Sequence, residues 1–330
     1  MNAPHGTRQL AVVVPAFKPG YLSEALSGFV EAANRSLSLY VFDDCSPYRL
    51  EEIVRASLSG VDHFYHRFPS NLGGTDLAAH WNRCIDKTGR EPWIWLFSDD
   101  DRVSPGSVKA VLSALSSAES SDLLALELQI IDAKGRPAAR VYRPPAVESP
   151  ADFAVNRLSC RRQLCAADHV FSRRCYERAG GFVSLPKAWY SDEVTWHRML
   201  VQSNGRVVRV DGARLQFRLS GSNISTSRLH DRDKQDSQVR AWKYWTEYLA
   251  SRQLDSDSLM TKWRRHGLLA AGLRPLSPGA FRHLRKMGRS NLGALADATF
   301  CCILKLRVVG ANLVGRTLRS LSGRVAVAGK

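Results

Sequence analysis

The stretch from Trp93 to Asp101 constrains the fold of this chain more than any other. It reads Trp-Ile-Trp-Leu-Phe-Ser-Asp-Asp-Asp, so an apolar run of five residues is followed, after one serine, by three consecutive carboxylates. A short apolar run bounded by turn residues predicts a buried parallel strand. In open α/β sheets, ligands bind beyond the carboxyl ends of such strands, so we expect Asp99, Asp100 and Asp101 to border a ligand crevice.

Three adjacent acids repel one another when all of them are ionised. A divalent cation with hard oxygen ligands stabilises such a cluster, and a cation held there is available to an anionic substrate. The alternative is a solvated acidic turn before a helix, with Asp101 near the N-cap, because helix N-termini favour acids. The stretch alone leaves both interpretations open.

Predicted strands and helices alternate through the first third of the chain. The strand patterns cover residues 10–16, 37–42, 61–66 and 93–97, and the helix patterns cover 20–33, 47–58, 74–87 and 107–116. Short connections between alternating elements predict an α/β fold with a doubly wound, mainly parallel sheet.

A second pair of acids, Asp43 and Asp44, ends the second predicted strand. Because the carboxyl ends of parallel strands share one edge of a sheet, we expect this pair to converge with Asp99 and Asp100 on one crevice. A nucleotide bound there would find acceptors for its base and ribose and a metal for its phosphates. The alternative for Asp43 and Asp44 is an Asx-type turn that caps the helix beginning at Pro47.

Farther along, the patterns predict a strand at 123–131, a Pro-rich loop at 140–152 over the site, and two closing strands at 207–210 and 215–219. Asp192 and Glu193 fall in the first turn of a predicted helix. Acids at that position either take part in chemistry or only complement the helix dipole.

Six segments, taken in order, carry a resemblance to a known family. They read VVVPAFKP, FDDCSP, NLGG followed by Trp81-Asn82, WLFSDDDRVSP, AGGF and SDEVTWHRMLVQSNG. Over residues 10–225 the chain resembles the family 2 glycosyltransferases of the GT-A fold, a Rossmann-like fold of nucleotide-diphospho-sugar transferases. The resemblance implies a hexosyl- or deoxyhexosyltransferase that moves a sugar, with inversion, from a nucleotide-diphosphate donor to a hydroxyl of a glycan or lipid-linked acceptor. Bacterial surface polysaccharide, such as O-antigen in lipopolysaccharide or capsule, is the product that this resemblance implies.

The resemblance also implies roles for the residues that bind the donor. Asp44, with Asp43 beside it, would contact the nucleobase, in a pocket shaped by Pro15 and Phe17, and Asp99 would contact the ribose. The other implied donor-binding and metal residues are Asn71, Arg218, Asp100 and Asp101. Asp100 aligns with the ligand of a Mn²⁺ or Mg²⁺ ion and Asp101 is its rival, whereas Arg218 either reaches the diphosphate or forms a structural salt bridge.

Asp192 is the implied catalytic base, because it lies six residues before Arg198, as the base does in the family's motif. Ser191 replaces the usual Glu of that motif, and Glu193 is the second candidate. The chemistry requires such groups: a bound cation neutralises the leaving diphosphate as a Lewis acid, and a carboxylate takes the proton of the attacking hydroxyl.

Charge is distributed unevenly along the chain. About 12 of the 16 net positive charges lie after residue 229, with about 19 Lys and Arg against 7 Asp and Glu. We therefore expect a transferase domain over residues 1–228 and a helical basic region over 229–330, with helices near 238–249, 259–271, 278–287 and 292–321. These helices either attach to an anionic membrane surface or simply pack on the domain.

The seven cysteines are scattered without a CxxC motif, which predicts reduced thiols in a cytoplasmic protein. No signal-peptide pattern begins the chain and no apolar run reaches the length of a membrane span, so the location expected is the cytoplasm, with peripheral attachment to the inner face of the membrane as an option.

Two other classes of protein compete with the glycosyltransferase interpretation. A sugar-phosphate nucleotidyltransferase needs a Gly-rich basic loop after the first strand, for which Lys18-Pro19-Gly20 is a poor substitute, and a nucleic-acid-binding protein leaves the acid pairs unexplained.

Overall fold

The structure is a computed structural model that describes residues 8–33, 36–119, 122–221, 223 and 231–254. The chain divides into two compact units, Met1–Tyr248 and Leu249–Lys330. Only residues 249–254 of the second unit are described, so the contacts discussed below belong to the first. The boundary expected at residues 228 and 229 stays a prediction.

Strands and helices alternate in the first half of the described chain. The strands are β1 (Leu10–Ala16), β2 (Leu37–Asp43), β3 (His63–Arg67), β4 (Trp93–Leu96), β5 (Arg102–Val103), β6 (Leu123–Ile131), β7 (Val147–Glu148), β8 (His169–Ser172) and β9 (Val207–Arg218). The helices are α1 (Leu22–Ser27), α2 (Val30–Ala33), α3 (Leu50–Ser57), α4 (Leu77–Ile85), α5 (Ser107–Leu115), α6 (Pro150–Leu158), α7 (Arg173–Ala179), α8 (Ser191–Ser203) and α9 (Asp231–Ser251).

All nine strands form one sheet in the order β3-β2-β1-β4-β8-β6-β9-β5, with β7 paired to β9. Neighbouring strands from β3 to β4 are parallel, which confirms the predicted core of the sheet. Beyond β4, strand β8 is antiparallel to both of its neighbours, whereas β6 and β9 are again parallel. The sheet therefore joins a parallel half to a mixed half at β4. This strand leads into Asp99, Asp100 and Asp101, called the acidic triplet below.

The core forms where apolar strands are covered by helices. Strand β1 is fully buried except at Pro15, as expected for a parallel strand with both faces covered. Phe29, Trp95 and Phe97 pack edge to face, with ring centroids 4.9 to 5.8 Å apart. The Trp95 indole donates to the Ala167 carbonyl at 2.8 Å, which adds a hydrogen bond to this aromatic packing.

Strand β9 differs from the prediction of two separate closing strands. It runs without interruption from Val207 to Arg218, with a register shift opposite Ala125 and Glu127 of β6. Gly212 lies within it at a φ of +82°. A glycine adopts this left-handed conformation without steric cost, so the strand passes through a bulge where the sequence pattern breaks.

The Pro-rich segment 140–152, expected to be a loop, contributes β7 and the first turn of α6 instead. Ser149 and Asp152 form a reciprocal capping box at the start of α6. Glu148 of β7 is 1% exposed and pairs with Arg162, which is equally buried. This ion pair fastens the segment to the body of the domain.

Helix α9 carries aromatic residues that the sequence offered as a membrane-facing side. Trp242, Trp245 and Tyr248 are at most 9% exposed. The Tyr244 hydroxyl lies 2.7 Å from Nδ1 of His197 on α8, and the Trp245 and His197 rings are 4.6 Å apart. In this helix the aromatic side chains pack on the domain and are not available to a lipid surface.

The other helices predicted in the basic region, at 259–271, 278–287 and 292–321, lie outside the described residues. Within the part of the chain that is described, no helix is both long and apolar enough to cross a membrane. The five cysteines in that part are free thiols.

Candidate active site

The carboxyl ends of β1 and β4 meet at Asp99. Its Oδ2 accepts hydrogen bonds from the backbone N–H groups of Phe17 and Lys18, each at 2.8 Å. The Phe17 carbonyl in turn accepts the Ser46 hydroxyl at 2.7 Å, which joins the end of β2 to the same edge. Asp99 thus fixes the backbone that leaves β1.

The Lys18 ammonium lies on the acidic triplet. Its Nζ is 2.8 Å from Oδ2 of Asp100 and 3.8 Å from Oδ1 of Asp99, and about a third of the side chain, 34%, is exposed. Burial alone would lower the pKa of Lys18, but the charges of Asp99 and Asp100 outweigh it and the pKa is raised. Ser220 donates its hydroxyl to the same Asp100 oxygen at 3.2 Å.

Asp101 is directed into the protein. It is 1% exposed, and its Oδ1 accepts the Arg218 backbone N–H at 2.8 Å. Its Oδ2 is buried without a hydrogen-bond partner among the described residues. Burial, reinforced by the neighbouring charge of Asp100, raises the pKa of Asp101 to about 8, so this carboxyl is largely protonated at neutral pH.

The Arg218 side chain contacts the backbone of the acidic triplet and neighbouring groups. Its Nε donates to the Asp100 carbonyl at 2.8 Å, and its two terminal nitrogens donate to the Ala133 carbonyl and to Glu24. The guanidinium also stacks on Tyr21 at 4.3 Å, and the residue is 1% exposed. Of the two readings of Arg218, this geometry favours the structural salt bridge over contact with a diphosphate.

Asp43 and Asp44 lie at the expected strand end, but their carboxylates are engaged by protein groups. Asp43 accepts the Ser46 N–H at 2.7 Å, in an Asx-type turn, and also binds Tyr65 and Arg67. Both acids are nearly inaccessible, at 0% and 3% exposure. The geometry favours the turn alternative for Asp43 and leaves no free edge on it for a nucleobase.

Asp44 organises the loop before α4. Its carboxylate accepts the backbone N–H groups of Leu72 and Gly73 at 2.9 and 2.8 Å and the side-chain amide of Asn71 at 2.8 Å. Arg83 also donates to it. Asn71 therefore lies beside Asp44, and its amide shapes the loop.

Gly73 has no room for a side chain at this point. A Cβ there would lie 2.8 Å from the Asp44 carboxylate and 3.3 Å from Leu77. Replacing Gly73 by Ala should therefore reduce the free energy of unfolding, measured in urea, by about 1 to 3 kcal/mol. Gly20→Ala is the matched control, because no atom lies within 4 Å of its Cβ position. Equal stability of the two variants would show that the Asp44 loop is not tightly packed.

Two exposed aromatic rings flank the strand ends. Phe17 is 39% exposed and Tyr48 is 52% exposed. The Tyr48 N–H donates to the Ser46 hydroxyl, which is bonded to Phe17, so both residues belong to one turn assembly. Pro15 pairs with Phe42 in the β1–β2 register just before them. The base-pocket role of Pro15 and Phe17 stays a prediction. The sequence did not single out Tyr48, because exposure of a ring in a turn has no sequence signal.

Asp192 and Glu193 begin α8 as expected, and the structure separates their roles. Glu193 is 1% exposed, paired with Arg157 and bonded to the Trp245 indole at 3.2 Å. Asp192 is only half-buried and accepts the Glu193 N–H at 2.9 Å. Burial, followed by the charge of Glu193, raises the pKa of Asp192 to about 7. Asp192 is the accessible carboxylate of the pair and is suited to proton transfer near neutral pH.

The segment just before Asp192 is held in a strained backbone conformation. Lys187, Ala188 and Tyr190 all have positive φ, at 55°, 51° and 67°. Such conformations in residues with side chains are uncommon and persist where the surroundings impose them, often at functional sites. The Ser237 hydroxyl of α9 donates to the Pro186 carbonyl at 2.6 Å and is one of the contacts that hold this segment.

The Cys165 thiol experiences the charges of acids from both parts of the predicted site. Its pKa is raised well above the usual range by burial and then by the charges of Asp168, Asp101 and Asp192. Asp101 after β4 and Asp192 in α8 therefore both contribute to the electrostatic environment of this thiol.

The residues present do not form a divalent-ion site with Asp100 and Asp101 as paired ligands. Asp101 offers an ion no accessible oxygen, and Asp100 already binds the Lys18 ammonium. Within the described ranges, no three His, Cys, Asp or Glu side chains converge as a group that could hold a metal ion. The geometry thus departs from the expected Mn²⁺ or Mg²⁺ site, although Asp100 occupies the predicted position.

Comparison with known proteins gives a likeness in structure only. No family model matches the chain, and no curated protein matches its sequence. S. aureus TarS, residues 1–349, superimposes with a TM-score of 0.57 at 12% identity, covering 81% of this chain and 75% of that one. The same TarS fragment in complex with UDP-GlcNAc gives 0.58 at 14% identity, with 81% and 76% covered.

A mannosyltransferase, PcManGT from Pyrobaculum calidifontis in complex with GDP-Man and Mn²⁺, matches with a TM-score of 0.49 at 14% identity, covering 93% and 88%. The TarS likeness shows the fold, and the expected fold class is confirmed: the chain has the GT-A fold.

Proposed function

We propose that this chain is a glycosyltransferase that moves a sugar from a nucleotide-diphosphate donor to an acceptor hydroxyl. The observation that carries the proposal is a pair of unlike groups. The partly exposed Lys18 ammonium, paired with Asp100, lies at the end of β4, and the half-buried Asp192 carboxylate lies at the start of α8. One of these suits a leaving diphosphate and the other suits a hydroxyl that must lose a proton.

We expect the donor to bind along the ends of β1, β2 and β4. The exposed Phe17 and Tyr48 rings offer apolar surface to a nucleobase, next to Pro15. Asp99 holds the Phe17–Lys18 backbone and therefore fixes the floor on which the ribose and diphosphate would lie. Positive charge at the diphosphate stabilises the negative charge that grows on the leaving group, an effect of about 100- to 1000-fold in rate per contact.

Asp192 would act on the acceptor. A carboxylate with a pKa of about 7 is partly ionised at neutral pH and accepts a proton more readily than an ordinary aspartate. A base on the side opposite the leaving group leads to inversion at the anomeric carbon. Glu193, held by Arg157 and Trp245, would position the helix turn that carries Asp192.

The remaining assignments follow from the sequence resemblance. We propose a hexosyl or deoxyhexosyl donor and a glycan or lipid-linked acceptor of bacterial surface-polysaccharide synthesis, handled in the cytoplasm and at the inner face of the membrane. A lipid-linked acceptor accounts for a basic region after residue 229. The aromatic side of α9 contributes nothing to such attachment, since it packs on α8.

The proposal is tested by incubating the protein with a panel of nucleotide sugars and following slow release of the nucleoside diphosphate. UDP-GlcNAc comes first, because TarS was solved with it, followed by GDP-Man and dTDP sugars. We expect one donor class to be hydrolysed faster than in buffer, with the rate lowered at least tenfold in Asp192→Asn. No hydrolysis and no nucleotide binding across the panel would contradict the proposed function.

A further inference from the structure

Lys18 is tied to the acidic triplet at both ends of the residue. Its backbone N–H donates to Asp99 at 2.8 Å, and its ammonium is 2.8 Å from Asp100. Fixing a long flexible side chain costs rotamer entropy, which the contacts with Asp99 and Asp100 must offset. The double attachment fixes the ammonium beside Asp99 and Asp100 before any ligand arrives.

Other cations near the triplet have different partners. The Arg218 guanidinium donates to the Asp100 carbonyl and to Glu24, whereas only the backbone N–H of Arg218 reaches a carboxylate of the triplet, that of Asp101; the residue is 1% exposed. Lys18 is the cation whose side chain pairs with Asp99 and Asp100 in the described part of the chain, and it keeps 34% of its side chain accessible. A divalent ion at Asp100 would have to displace this ammonium or lie beside it, against like-charge repulsion.

We propose that Lys18 takes the place of the divalent cation in this chain, so that its ammonium binds the donor diphosphate and nucleotide binding requires no metal. The inference rests on the proposed function, which it deepens by naming the charge that receives the phosphates. An ammonium is a compact point charge with three N–H donors. Asp100 accepts one of these N–H groups. The others can donate to phosphate oxygens.

The first test uses Mn²⁺ alone, without nucleotide, and measures the free ion by electron paramagnetic resonance. Lys18→Met exposes the Asp99 and Asp100 carboxylates, so we expect it to bind Mn²⁺ at least tenfold more tightly than the wild type. Lys109→Met, which changes an exposed lysine of α5, is the control and should behave as the wild type. Stoichiometric Mn²⁺ binding by the wild type, as tight as in Lys18→Met, would overturn the inference.

The second test measures nucleoside diphosphate affinity by calorimetry in EDTA and in Mn²⁺. The wild type should bind equally, within about threefold, in both buffers. In EDTA, Lys18→Met should lose about 10- to 100-fold in affinity, the usual effect of a hydrogen bond to a charged group, whereas Lys18→Arg should keep most of it. Circular dichroism checks that each variant is folded.

The outcomes distinguish the two proposals. If the wild type loses its nucleotide affinity in EDTA and Lys18→Met does not differ from it, Lys18 has no part in phosphate binding and the inference is wrong. If none of UDP, GDP, ADP, CDP and dTDP binds to any variant in either buffer, the proposed function itself fails. The Mn²⁺ comparison without nucleotide still decides in that case whether Lys18 occupies the cation position.

Discussion

Replacing Asp192 by Asn should lower the rate of sugar transfer by about 100- to 10,000-fold, the range for loss of a general base. Nucleotide affinity should stay within about threefold of the wild type, because Asp192 lies at the start of α8 and the ammonium that would bind the phosphates lies beyond β1. The measurement combines initial rates at saturating donor with calorimetric titration of the nucleoside diphosphate. Glu177→Gln, an exposed acid on α7, is the control and should leave both quantities unchanged.

The same residue predicts the pH dependence of the reaction. A base must be ionised to accept a proton, and the pKa of Asp192 is raised to about 7, chiefly by burial. The value of kcat/KM should therefore rise as the pH increases through 7, and this limb should be missing in the Asn variant. Loss of nucleotide binding in Asp192→Asn, or an unchanged pH profile, would assign Asp192 to another role.

Stability provides an independent check on Asp192. Its pKa rises from 3.8 to about 7 on folding, so the folded protein binds the proton more strongly than the unfolded chain does. Asp192 therefore costs stability progressively as the pH rises from about 4 to 7, and the full cost is present above pH 7. At pH 8 the melting temperature of Asp192→Asn should equal or exceed that of the wild type. A lower value would mean that the Asp192 carboxylate stabilises the fold.

The largest expected loss of stability follows from breaking the buried Glu148–Arg162 pair. Both side chains are 1% exposed, and Arg162 also donates to Nε2 of His169 at 2.9 Å. The opposite nitrogen of His169 lies 2.6 Å from Asp168, so the pair belongs to a buried network. Replacing Glu148 by Gln leaves the Arg162 charge without its counter-ion, and the free energy of unfolding should fall by about 3 to 5 kcal/mol.

An exposed ion pair supplies the matched control for this change. Glu51 and Arg55 on α3 are 2.9 Å apart, with side chains 59% and 77% exposed. Glu51→Gln should cost less than about 0.5 kcal/mol, because water screens exposed pairs. Urea unfolding of both variants at pH 7 gives the comparison. A Glu148→Gln loss no larger than that of Glu51→Gln would show that Arg162 is hydrated or paired elsewhere.

The sequence predicted the parallel half of the sheet well because its signals are local. Strand β1 was predicted with its observed bounds, Leu10–Ala16, and the apolar run beginning at Trp93 forms the buried β4. The acids after β2 and β4 lie at the expected sheet edge. A strand that is buried on both faces needs continuous apolar residues, and such a run can be recognised in the sequence alone.

Partners that are distant in the chain were not predictable in the same way. Asp44 binds Gly73 and Arg83, and Arg218 binds Glu24. These partners are far apart in the sequence, so no periodic residue pattern predicts the contacts. The position of Lys18 on Asp100 likewise depends on the parallel pairing of β1 with β4. The sequence supplied candidate site residues, and the tertiary contacts decide which of them remain open to a ligand.

The account is tested most directly by a crystal structure of the protein with the nucleotide sugar that it hydrolyses. We predict that the diphosphate lies within hydrogen-bonding distance of the Lys18 ammonium, that the base contacts Phe17 or Tyr48, and that Asp192 faces the anomeric carbon from the side opposite the diphosphate. A donor bound at another face of the sheet, with Asp192 directed away from the sugar, would contradict the proposed site.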